Sequence, residues 1–181
     1  MDRRVILAGL LTGAGSGIVL AQGSPAPIGG GSAPAVGARL GTYEVEHGKK
    51  TALAGAATLE TSDVALDKAR DPKVKEFARF EHDEQTTIAD VLKMIDPSLG
   101  RANPDPKMAT TIQTLAGMPP GPAYDKAYVA AQIEGHNVLL AIQEDYLKVG
   151  KDREHVSIAK LARGMIKEHL AILADLEKAL A

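Results

Sequence analysis

The chain contains no cysteine and no tryptophan, and only four tyrosines and two phenylalanines among its 181 residues. Without cysteine there is no disulfide, no thiolate metal site and no cysteine nucleophile. Aromatics make up 3% and apolar residues 45%, so the core must be built from Ala, Leu, Ile and Val. That suits closely packed helices better than a β-sandwich. An excess of one charge is also lacking: the net charge is −2, and the basic residues are dispersed. No phosphate-binding face results, and nucleic acid is not an expected partner. G-x-S-x-G, P-loop and H-E-x-x-H motifs do not occur, so hydrolysis has no obvious actor.

The only long apolar run is at the N-terminus. Arg3 and Arg4 form a short positive region, residues 5–20 are uncharged and mostly apolar, and Val19-Leu20-Ala21 is a small-residue cleavage site. The pattern predicts a secretory signal over residues 1–21. The run is short and rich in glycine, below the about 20 apolar residues a spanning helix needs. No transmembrane helix is therefore expected in the mature form. The Arg3-Arg4 pair also resembles a twin-arginine signal. Either route places the mature protein in the periplasm or outside the cell. Thr12-Gly13-Ala14-Gly15-Ser16-Gly17 within this run imitates a dinucleotide-binding turn. No βαβ pattern follows it, which excludes a Rossmann domain. Residues 22–42 are dense in Gly, Pro, Ala and Ser and read as a disordered tether.

Residues 43–181 read as helices. The first runs from about residue 44 or 50 to 69, with Leu53, Ala56, Leu59, Val64 and Leu66 as apolar positions on more than one side. Asp71-Pro72 is a helix start, with Asp as cap and Pro at the first helical position. The second helix then runs to about residue 95, where Asp96-Pro97 stops it. A Pro/Gly/Asn loop and a short helix over 108–116 lead to a third long helix from about 123 to 148. Asp152 caps a fourth that runs to the end, with an inward stripe of Ile158, Ala162, Met165, His169, Leu173, Leu176 and Leu180. Short links within each helix pair predict antiparallel hairpins. The long middle connection predicts the crossover of a ferritin-like antiparallel four-helix bundle.

Polar residues fall on the inward faces. At about 100° per residue the second helix lines up Val74, Phe77, Glu81, Glu84, Ile88, Val91 and Ile95, and His82 points nearly opposite. The third helix turns Tyr128, Gln132, His136, Leu139, Gln143 and Tyr146 to one side. The fourth centres His169 on its stripe, with Glu168 near the edge, and the first offers Glu60. Carboxylates and imidazoles converging inside a bundle are how carboxylate metal sites are built. The Glu-x-x-His motif that di-iron bundles carry on two helices is not met: the second helix has Glu81-x-x-Glu84, and on the fourth Glu168 and His169 are adjacent. Two readings follow. The inward groups bond one another and fix helix register, which this degraded pattern favours. Alternatively, Glu60, Glu81, Glu84, His136 and His169 hold a divalent ion such as iron or manganese.

LETSDVALDKARDPKVKEFARFEHDEQTTIADVL over residues 59–92, YDKAYVAAQIEGHNVLLAIQEDYL over 124–147 and AKLARGMIKEHLAIL over 159–173 resemble the two hairpins of a family of exported bacterial proteins, domain of unknown function 4142. The resemblance implies a ferritin-like bundle and no established reaction. It also implies functional positions at Glu60, His136, Glu168 and His169. Where that family commonly has an Asp-His pair on the second helix, this chain has Glu84 and Gln85. Glu81, one turn earlier, can stand in as a ligand. The primary expectation is a non-catalytic exported bundle with an envelope or stress role. The alternatives are a metal-binding or redox bundle and a periplasmic module for a small polar ligand.

Overall fold

The computed structural model describes residues 40–181. The expected leader and most of the expected linker lie outside the described residues. Within them there are five α-helices and no strand: α1 (Thr42–Lys68), α2 (Pro72–Ile95), α3 (Pro106–Gly117), α4 (Pro122–Val149) and α5 (Arg153–Leu180). Three aspartates start three of these helices by accepting from amides that have no partner inside the helix. Asp71 Oδ1 accepts from Lys73 N at 2.8 Å and Val74 N at 3.2 Å. Asp105 Oδ1 accepts from Met108 N at 3.0 Å. Asp152 Oδ1 accepts from Glu154 N at 3.0 Å and His155 N at 2.9 Å. Pro72 and Pro106 occupy first positions, where a missing N–H costs nothing. Gly121, at φ 150°, makes the turn into α4 that a side chain would resist.

The long helices form two hairpins, α1 with α2 and α4 with α5, and α1 lies against α4. Directions follow from contacts at the two ends. Buried Asp125, at the start of α4, accepts from Arg70 N at 3.0 Å and Asp71 N at 2.9 Å, at the α1–α2 turn. At the far end, Tyr146 donates to Glu44 Oε1 at 3.1 Å. α1 and α4 are therefore antiparallel, α2 and α4 run the same way, and the connection between them must travel the length of the bundle. It carries α3, which packs on α1 and α4 and puts Leu115 into the core. Lys68 Nζ ties this connection down by donating to Ala116 O, and to Met118 O at 2.8 Å. Among the described residues no helix is long and apolar enough to cross a membrane.

The inner face of α1 differs from the expected one. Leu53, Leu59, Val64 and Leu66 are only partly buried, while Thr51, Ala54, Gly55, Thr58, Thr61, Ser62 and Ala65 are buried. Small side chains here let α4 approach closely. A Cβ on Gly135 of α4 would stand 2.6 Å from Thr58 Cγ2. α2 and α5 touch far less. The stripes on these two helices accordingly end early or turn: Val91 is 36% and Met165 39% exposed, and Ala159 and Ile166 are buried in α5 instead.

Candidate metal centre

Glu81, His136 and His169 meet inside the bundle from three different helices, α2, α4 and α5. Glu81 Oε2 lies 3.2 Å from His136 Nε2 and 3.2 Å from His169 Nδ1, and the two nitrogens lie 3.1 Å apart. The three potential ligand atoms thus form a nearly equilateral triangle. Glu81 and His136 have fully buried side chains, and that of His169 is 12% exposed. Phe77 closes one side, its ring edge-on to His169 at 5.2 Å between centroids.

Each imidazole is oriented from behind. His136 Nδ1 donates to the Gln132 carbonyl at 2.8 Å. A carbonyl only accepts, so the proton sits on Nδ1 and Nε2 offers its lone pair to the centre. His169 presents its far nitrogen, Nε2, to Glu84 Oε2 at 3.4 Å. A carbonyl or carboxylate behind a histidine is how metal-ligating imidazoles are held.

The charge balance is incomplete with protein groups alone. Glu81 Oε1, Glu81 Oε2 and Glu84 Oε1 are all buried without a hydrogen-bond partner. The two imidazole nitrogens stand close to Glu81 Oε2, but neither is aligned to donate to it. Burial by itself would raise the Glu81 carboxyl, and the facing His136 and His169 outweigh it and hold its pKa down at about 2. Burial pulls His169 down, and Glu81 and Glu84 more than reverse this, so His169 is raised. Glu84 is raised, chiefly by burial. The cluster therefore favours an ionised Glu81 beside a protonated His169.

Of the five ligand residues expected from the sequence, the structure brings Glu81, His136 and His169 together and sets Glu84 behind His169. Glu60 lies outside this group. The inward face of α1 passes through Thr58, Thr61 and Ser62, and Glu60 sits beside it, lining a separate cleft with Asp63 and Gln85. His82 is half-exposed and meets Asp63 Oδ1 at 2.6 Å.

A second polar cluster escaped the sequence reading. His47 and His155, both buried, face each other with their Nδ1 atoms 3.0 Å apart. Gln143 Nε2 donates to Thr51 Oγ1 at 3.1 Å, and His47 Nε2 donates to Gln143 Oε1 at 2.8 Å. His47 Nδ1 must then accept, and His155 Nδ1 donates to it. His47 stacks on Tyr146 at 4.1 Å. Burial lowers both imidazoles, and their mutual repulsion lowers His47 further. The missed signal was Gln143: an inward amide requires partners, and His47 is one. Between the clusters, Gln132 Nε2 reaches Thr58 O, Thr61 Oγ1 and Ser62 Oγ at 2.9–3.1 Å, and Ser62 pairs with Tyr128.

These observations define an all-helical bundle with two imidazoles and a carboxylate converging on one buried point. The chain belongs to the family described as Domain of unknown function (DUF4142), whose model matches residues 32–176. No curated protein and no solved structure matches the chain.

Proposed function

We propose that this is an exported, ferritin-like four-helix-bundle protein that binds one divalent transition-metal ion in the periplasm or outside the cell. The ligands are His136 Nε2, His169 Nδ1 and the Glu81 carboxylate, with Glu84 orienting His169. One observation carries the reading: three ligand atoms from three helices stand 3.1–3.2 Å from one another around buried carboxylate oxygens with no partner. With bonds of about 2.1 Å such a triangle subtends roughly 100° at the ion, a facial set with room for water. Two imidazoles and one carboxylate suit iron, zinc or manganese better than calcium or magnesium. The ferritin-like assignment is supported by the long connection between the parallel helices α2 and α4. The N-terminal leader pattern supports export. The reading is of a binding protein, and holding a redox-active ion is one form that an envelope or stress role can take.

Metal content is the test. Mature protein loaded with Fe(II), Zn(II), Mn(II) or Co(II) is expected to retain one equivalent of at least one of them. His136→Ala and His169→Ala each lose it, and His82→Ala does not. Substoichiometric metal under every loading condition, with an unchanged melting temperature, refutes the proposal.

A further inference from the structure

The weak α2–α5 contact leaves a groove of about 720 Å³ along the bundle. Four of the exposed large apolar side chains among the described residues line it: Val91 (36% exposed), Met94 (77%), Leu161 (70%) and Met165 (39%). Ile88 and Ile158 lie in it as well. Scattered exposed apolar residues need no explanation, but a contiguous set in a concave site marks a binding surface.

One end of this groove is chemically distinct. Glu84 lines it with a side chain only 9% exposed, and Glu84 Oε1 is buried with no partner. Such an oxygen calls for a donor that the protein does not supply. Asp83 adds a second carboxylate at this end, and Arg153 and Glu154 line the opposite end, towards Ile95. The groove therefore combines an apolar trough with an acceptor-rich, acidic end.

We infer that the α2–α5 groove binds a small cationic amphiphile, an aliphatic primary amine whose ammonium donates to Glu84 Oε1 and whose chain lies along Ile88, Val91 and Leu161. From Glu84 to Ile95 the helix rises roughly 16 Å, so chains of up to about ten carbons fit the trough. A carboxylate head meets repulsion at Glu84. A quaternary ammonium has the charge but no N–H to donate. The inference stands apart from the metal reading, because Glu84 is placed behind His169 and not among the ligands.

Calorimetric titration of the metal-free mature protein with decylamine, below its micelle concentration, tests it. One site per chain is expected, with decanoate and decyltrimethylammonium each binding at least roughly tenfold more weakly, the cost of a lost charged hydrogen bond. Glu84→Gln should weaken decylamine by a similar factor. Leu161→Lys, on the exposed rim, should weaken it without affecting the fold, and this variant decides the matter if Glu84→Gln does not fold. No saturable binding, equal binding of the three probes, or decylamine binding unchanged by Leu161→Lys overturns the inference. Metal retention is measured separately, so failure here leaves the metal assignment standing, and the reverse also holds.

Discussion

Replacing Glu81 by Gln separates the two readings of the buried cluster. In a register-fixing network, Glu81 is one half of a buried ion pair, and removing it costs about 3–5 kcal/mol because its partner is left charged and unpaired. In the metal-free protein the two imidazoles already hold the Glu81 carboxyl down, so Glu81→Gln lowers stability at pH 7.5 under both readings. The metal-bound state behaves differently. At 100 times the dissociation constant, an ion stabilises the wild-type fold by about 2.7 kcal/mol. For a domain of this size that raises Tm by roughly 5–11 °C. Glu81→Gln should abolish this rise. Thermal unfolding followed by circular dichroism, with chelator and with excess Zn(II) or Mn(II), measures both numbers. If wild type shows no metal-dependent rise, or Glu81→Gln keeps the rise, the cluster is a structural network and the metal assignment is wrong.

Further outcomes concern the rest of the bundle. His47 and His155 are both lowered by burial, so the unfolded chain takes up protons first. Their contribution is complete above the ordinary imidazole pKa of about 6.5 and is lost as pH falls below it. His47→Gln should flatten the slope of stability against pH between about 6.5 and 5, measured by urea titration. Gly135→Ala should cost about 1–3 kcal/mol, because Thr58 Cγ2 at 2.6 Å sits on a branched side chain that cannot retreat. Gly55→Ala should cost less, since its clash is with the movable amide end of Gln85. Asp125→Ala leaves two amides of the α1–α2 turn without their acceptor. It should lower stability by about 2–4 kcal/mol in denaturant unfolding.

Much of this architecture could be read from the chain alone, for identifiable reasons. Asp71-Pro72 and Asp152 announce helix starts because capping is local chemistry. Glu81, His136 and His169 fall inward on helical periodicity because each lies on a long helix with apolar neighbours at regular spacing. Glu60 misleads because one residue is 100° of rotation, and the face of α1 that turns inward is small and polar. A search for apolar positions selects Leu53, Leu59 and Leu66, which only edge the core. His47 was hidden for the same reason, in the first turns of a helix whose start the Gly48 beside it obscured. His155 lies fourteen residues before His169, close to the same side of α5, and could have been found by extending that stripe backward.

The unequal seams between the helices have a mechanical consequence. Small residues on α1 press it onto α4 along a line where even a methyl group at Gly135 collides, and this side acts as the spine of a book. α2 and α5 are its two covers. Thermal breathing should then part the covers before the spine, which opens a path past Glu84 for water, ions and small solutes to reach the buried cluster.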